Sequence, residues 1–355
     1  MPDPTTRRLD FGALLPGIGV FGGVRRFLEI GNALVGRGHR FVLYHPGGER
    51  PEWLPFAGEV RALDALGNSR HDALVCGEPA LLPRFEAAPA RLKLFYCVLE
   101  KLPEERRIVR HPGWVVLANS SGLQDRLWRR HRVRAEEAVG GIDLELFRPP
   151  AVPRPERPEI LRVLSYGRLS RRRKGTALVV RAVERFAARV ASPVQLVLFD
   201  HVGPGNETDP RALLRCSIPH EFHLNMSQPD LVRLYGSCDL FVSAERRAGW
   251  NNTVAEAMAC GVPVVCTPSG TRDLAQHLES AWVVRWRHPW LFERALRELA
   301  ERPELRGELR RQAADRVRKF TWGRLALRLE EIVNARLGAP PSVGVNRPDG
   351  SGECA

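Results

Sequence analysis

The apolar positions of this chain fall in short runs. "FVLYHP" (41–46), "DALVCG" (72–77), "LKLFYCVL" (92–99) and "WVVLANS" (114–120) are each of strand length, with helix-like or loop segments between them. Apolar runs that alternate with helical segments predict a parallel sheet covered by helices. The rhythm breaks at "RPPAVPRPERPE" (148–159), which is too proline-rich for a central strand or helix and reads as a linker. It restarts with "LRVLSYG" (161–167), "VQLVLFD" (194–200), "DLFVSA" (239–244), "VPVVC" (262–266) and "AWVV" (281–284). The expectation is an α/β chain of two Rossmann-like domains in series, 1–150 and 151–318. From Ala339 onward too little apolar content remains to pack, and 339–355 is expected to be a disordered tail.

The length of 355 residues suits two cores better than one, and 44% hydrophobic with 27% charged residues is a globular composition. No uncharged apolar run reaches the roughly 18 residues of a membrane-spanning helix. The opening "MPDPTTRRLDFGALLPGIGV" lacks the apolar core and cleavage site of a signal peptide. Seven scattered cysteines, mostly inside apolar runs, read as reduced core thiols of a cytoplasmic protein, and none has zinc-ligand spacing. The net charge of +13 points to phosphates, anionic lipid headgroups or nucleic acid as partners.

Three segments carry candidate chemistry. In "LLPGIGVFGGVRRFLEIGNALVGRGHRFVLY", Gly17, Gly19 and Gly22 fit the spacing of a dinucleotide loop. The following strand ends at Tyr44 and His45, where such a site needs an acid for the ribose, which argues against a nicotinamide cofactor. The loop then reads either as a glycine turn for close packing or as an anion cradle. In "LRVLSYGRLSRRRKGT", six basic and no acidic residues run from Arg162 to Lys174, and the cluster from Arg168 leaves the end of a strand, where open α/β sheets bind ligands. In "AGWNNTVAEAMACGVPVV" (248–265), a helix start follows a strand. Thr253 and Glu256 fit a capping box there, and free amides at the same helix start make an anion site.

Together "GGVRRFLEIGNALVGRGHRFVLY", "GGIDLELFRP", "GRLSRRRKG" and "LVRLYGSCDLFVSAERRAGWNNTVAEAMACGVPVV" resemble family-four retaining glycosyltransferases of the GT-B fold, from about Leu14 to Val333. The resemblance implies that Arg168 and Lys174 hold the donor diphosphate and that Glu256 binds the nucleotide ribose. It also implies that Gly22 and Gly23 lie against the diphosphate, and that a terminal helix over 319–338 crosses back to the first domain. The chain departs from the family pattern at Ala248, where the family has a glutamate on the donor sugar; Glu245 lies three residues earlier. Trp250, Asn251, Asn252 and Thr253 replace a glycine-rich segment, and the two amides are candidates for sugar contacts, with Trp250 read as a packing residue. The family's histidine after the strand matched by "LKLFYCVL" is missing, which leaves Glu100 as the nearest candidate acid or base.

The implied activity is transfer of a sugar, with retention, from a nucleotide-diphosphate donor to a hydroxyl acceptor that is a glycan, a lipid-linked molecule or a small molecule, as in polysaccharide biosynthesis. No metal is expected, since no D-x-D segment follows a strand, and no cofactor beyond the nucleotide-sugar co-substrate. The alternative is a nucleotide-sugar-binding protein without transferase activity. Nucleic acid is not an expected partner, because the arginine cluster has little aromatic interleaving. A peripheral contact with an anionic membrane at the inner face is expected through "RLWRRHRVR" (126–134), where Leu127 and Trp128 join basic residues.

Overall fold

Every apolar run named above becomes a strand in the computed structural model, which describes residues 7–152, 158–203 and 207–338. The first sheet contains β1 (Asp10–Leu14), β2 (Arg40–His45), β3 (Glu59–Ala62), β4 (His71–Cys76), β5 (Ala90–Cys97), β6 (Trp114–Ala118) and β7 (Glu136–Glu137). They lie in the order β3-β2-β1-β4-β5-β6-β7, all parallel. Helices α1 (Gly22–Gly36), α2 (Leu82–Ala87), α3 (Glu105–Val109) and α4 (Ser121–His131) provide the crossovers and cover.

The second sheet is parallel as well, in the order β10-β9-β8-β11-β12-β13. Its strands are β8 (Leu161–Tyr166), β9 (Val194–Asp200), β10 (His220–Leu224), β11 (Leu240–Ser243), β12 (Val264–Cys266) and β13 (Trp282–Val283). The helices are α5 (Thr176–Ala187), α6 (Gln228–Gly236), α7 (Asn252–Ala259), α8 (Pro289–Glu301), α9 (Pro303–Val317) and α10 (Trp322–Gly338). Each sheet has a buried apolar layer on both faces, which is why its central strands read as continuous apolar runs. The architecture is α/β, two Rossmann-like parallel-sheet domains in the GT-B arrangement.

Helix α10 follows the second domain in sequence and packs on the first. Its Trp322, Leu325, Leu329 and Val333 join the core formed by α1 and the first sheet. Arg37 pairs with Glu330 at 2.6 Å, and Glu136 pairs with Arg336 at 2.8 Å. Closer to the cleft, Leu99 and Ala248 form an antiparallel bridge between the domains. A Cβ on the adjacent Gly249 would stand 2.4 Å from the Val98 carbonyl oxygen, so only glycine allows the two backbones to approach this closely. The disordered tail expected at 339–355, and residues 153–157 within the expected linker, lie outside the described residues.

Candidate active site

The carboxyl ends of both sheets face one cleft of about 1240 Å³. Loops leave parallel strands at that end, so side chains far apart in sequence meet there. The loop after β8 carries the first group. It closes at Gly175, where φ is +76° and a Cβ would meet the Ala244 carbonyl oxygen at 2.2 Å; a side chain there would displace the loop. Thr176 Oγ1 donates to the Tyr166 carbonyl at 3.0 Å and fixes the start of α5 to the end of β8.

Within that loop Arg168 is buried and donates to Asp200 from Nε at 3.0 Å and from Nη2 at 2.8 Å. Lys174 donates to Glu245 at 2.8 Å. Both cations lie 5.4 Å from the Tyr166 ring centroid, so the phenol ring forms a floor between them. Burial, and then the Asp200 carboxylate, push the Tyr166 hydroxyl far above its ordinary value, so it stays neutral. Arg168 also faces the Phe21 ring of the first domain at 5.8 Å.

The second group sits on α7, and its geometry corrects the capping-box expectation. Asn251, not Thr253, caps the helix: Asn251 Oδ1 accepts from the Val254 amide at 3.3 Å and from Thr253 Oγ1 at 3.0 Å. Its Nδ2 donates to Ser243 Oγ at 3.1 Å, so both ends of this buried amide are taken up by the protein. Glu256 lies beyond the first turn and points inward. Its Oε1 accepts from Arg25 Nη1 of α1 at 2.8 Å, and its Oε2 accepts from the Tyr235 hydroxyl at 2.9 Å. Burial raises the Glu256 carboxyl above its ordinary value, while Arg25 and the Tyr235 hydrogen bond oppose the shift. Arg25 is itself held between Glu29 at 3.5 Å and the Phe147 ring at 5.1 Å.

Of the residues expected at the site, Arg168, Lys174, Gly22, Gly23, Asn251, Asn252, Thr253 and Glu256 all line the cleft. Gly22 opens α1 directly opposite Asn252, whose Nδ2 would stand 2.7 Å from a Cβ there. Glu100 does not line the cleft, whereas its neighbours Val98 and Leu99 do. Ala248 is buried, and its amide donates to Ser269 Oγ at 2.9 Å. Trp250 is buried against Phe320. The apolar half of the expected membrane surface is corrected too: Leu127 is fully buried, so only Trp128 is exposed there, flanked by Arg132 and Arg134.

Sequence reasoning missed Arg25, Asp200, Tyr235 and the structural placement of Glu245. Asp200 ends an apolar strand at the edge where ligands bind, which was a readable signal. Arg25 had none, since a basic pair on a helix usually faces water. Among the described residues no group of three or more His, Cys, Asp or Glu is placed to hold a metal ion.

Residues 161–302 match the family model described as Glycosyl transferases group 1. The matched stretch falls within the second domain. The chain is 25% identical over 211 residues to a D-inositol 3-phosphate glycosyltransferase of Thermobispora bispora, a match covering 56% of this chain and 49% of that protein. It is 31% identical over 111 residues to the protein of the same name from Saccharomonospora viridis, covering 31% of this chain and 26% of that one. The chain thus spans about half the length, or less, of the curated relatives it matches. Among solved structures, sucrose-phosphate synthase of Thermosynechococcus elongatus superimposes with a TM-score of 0.73 at 16% identity, over 94% of this chain and 100% of that one. HepE of Anabaena in complex with UDP-glucose gives 0.73 at 14% identity, over 92% and 100%. At these identities the structural likeness speaks for the fold alone.

Proposed function

We propose that this chain is a retaining, metal-independent glycosyltransferase that moves a sugar from a nucleotide-diphosphate donor to a hydroxyl acceptor. The observation that carries the reading is the convergence of Arg168, Lys174 and Glu256 in one cleft, from the loop after β8 and from helix α7. The diphosphate binds beside Arg168 and Lys174, and the ribose hydroxyls bind at Glu256. As the sugar C–O bond to the diphosphate breaks, the two fixed cations stabilise the charge that develops on the leaving phosphate. The acceptor hydroxyl bonds to the same sugar carbon, and its proton passes to the leaving phosphate oxygen, so no strong protein base is required. A match to proteins named D-inositol 3-phosphate glycosyltransferase, and a fold shared with a protein solved with UDP-glucose, support this choice of substrate class.

Incubating the purified chain with a panel of nucleotide sugars and mixed acceptors, followed by mass spectrometry, tests the reading. A product heavier than the acceptor by one sugar residue is expected, and nucleotide release without any glycosylated product contradicts it. One observation favours a second reading, a nucleotide-sugar-binding protein without transfer. Ala248 stands where the resemblance implies a glutamate on the donor sugar, and the carboxylate nearest in sequence, Glu245, is buried and paired with Lys174. Donor binding without turnover is its signature.

A further inference from the structure

The second-domain rim carries exposed positive charge beyond the cations that line the cleft. The loop after β8 exposes Arg171 and Arg172 beside the cleft-lining Arg173 and Lys174. Exposed Arg246 and Arg247 stand in the loop after β11. Beyond β13 come the exposed Arg285 and Trp286, and Trp290 lies in the first turn of α8. These three loops are tied into one surface. The Arg246 amide donates to the Arg173 carbonyl at 2.7 Å, and Arg287 Nε donates to the Ala244 carbonyl at 2.9 Å.

Nothing within the described residues neutralises this surface. None of the five exposed arginines forms an ion pair there, and Glu245 at its base is buried and already paired with Lys174 and Arg173. Burial, and then the nearby Arg246, lower the Arg287 guanidinium pKa, which shows like charges held together. An arriving anion relieves that repulsion. Trp286 is 75% exposed and Trp290 44%, far above what indoles keep when they serve only to pack. Guanidinium groups take phosphate, sulfate or carboxylate with directed hydrogen bonds, and a flat indole face suits the apolar face of a sugar ring.

We propose that this rim docks an anionic glycan, an oligosaccharide bearing phosphate, sulfate or carboxylate groups, and presents its end to the cleft. The proposal rests on the transfer reading above for its place in catalysis, since the surface is continuous with the cleft through Arg173 and Lys174. A bilayer is the poorer fit, because the two tryptophans stand singly among arginines and do not form the apolar stripe of an interfacial helix.

The test is calorimetric titration of the full chain with a heparin-derived hexasaccharide and, in parallel, with neutral maltohexaose, anionic phosphatidylglycerol vesicles, an oligothymidylate and a nucleoside diphosphate. The sulfated sugar is expected to bind and the neutral one not. The double variant Arg246→Ser/Arg285→Ser should bind the sulfated sugar about tenfold more weakly, and Trp286→Ala several-fold more weakly, with nucleoside diphosphate affinity unchanged in both. Unaltered glycan affinity in these variants overturns the proposal, as does equal or tighter binding of oligothymidylate or vesicles lost in the same variants. If the glycan results hold and the nucleoside diphosphate fails to bind the parent chain, the docking surface stands and the transfer reading falls.

Discussion

On the first-domain side, the cleft is lined by the backbone of Gly22 and Gly23, by the carboxylates of Glu29, Glu52 and Glu78 and by Arg25 and Arg26; on the second-domain side it is lined by Arg168, Arg173 and Lys174 together with the carboxylates of Asp200, Glu245 and Glu256. Both rims are built by loops at the carboxyl ends of parallel strands, so topology does not separate them. Side-chain charge does. The first rim is net acidic, whereas on the second Arg168 and Lys174 each offset a carboxylate, so a diphosphate meets less repulsion at the second rim, and the acidic first rim can accept hydrogen bonds from the hydroxyls of an uncharged acceptor group. Of the two first-domain cations at the cleft, Arg26 donates to the Tyr96 hydroxyl and the Gly140 carbonyl within its own domain, whereas Arg25 crosses to Glu256 of the second domain. The contrast assigns the cations nearest the diphosphate to one domain and a cross-domain contact at the cleft to the Arg25–Glu256 pair, and each assignment can be broken by substitution.

The largest effect is expected at Arg168. Arg168→Ala leaves Asp200, whose side chain is 1% exposed, as an unpaired buried charge, which costs about 3–5 kcal/mol of stability and shows as a large drop in melting temperature. Adding Asp200→Asn removes that charge, so the double variant should recover most of the stability but not nucleoside diphosphate affinity. Recovery of both would mean that Arg168 is structural only. Next is Glu256→Gln, which keeps an oxygen for Arg25 or Tyr235 but loses the charge. Nucleotide affinity by calorimetry should fall tenfold or more, about 1.4 kcal/mol.

A smaller effect separates the two asparagines. Asn251→Ala should cost about 1 kcal/mol of stability in chemical denaturation, the usual loss for a helix cap. Asn252 caps nothing, so Asn252→Ala should leave stability nearly unchanged and weaken binding of the nucleotide sugar more than that of the bare nucleotide.

The smallest effect is a shift along the pH axis. Burial raises the Glu256 carboxyl and Arg25 opposes the rise, so Arg25→Gln should raise it further. A glutamate with a raised folded value favours the folded state below its ordinary value of 4.5, and that contribution is lost as pH rises through the raised value. Nucleotide affinity, which needs the ionised carboxylate, runs the other way and falls as pH drops through the raised value. The Arg25→Gln variant should therefore lose affinity on acidification at a higher pH than the parent chain.

The strands that apolar runs revealed are covered on both sides, apart from the edge strand β13; the buried β1, "DFGAL", is the one central strand outside those runs. The other three outside those runs, β3 "EVRA", β7 "EE" and β10 "HEFHL", are all edge strands, with no fully buried residue among them. An edge strand meets solvent along one side and needs no apolar run, so periodicity is silent there. The cationic half of the site was legible because charge at the end of an apolar strand is unusual in itself. The contacts of Glu256 were not. Spacing alone suggested a reciprocal cap with Thr253, whereas partners 231 and 21 residues away, Arg25 and Tyr235, hold it in the fold. Local pattern cannot weigh contacts of that range.

Calorimetric titration of a nucleoside diphosphate and of the matching nucleoside, each into the parent chain and into Lys174→Ala, tests the central claim most directly. If the diphosphate lies beside Lys174 and Arg168, the parent chain should bind the diphosphate far more tightly than the nucleoside. Lys174→Ala should remove tenfold or more of that preference, about 1.4 kcal/mol, while nucleoside affinity stays put. Equal affinity of the parent chain for the two ligands, or a preference untouched by Lys174→Ala, would contradict the placement of the donor in this cleft.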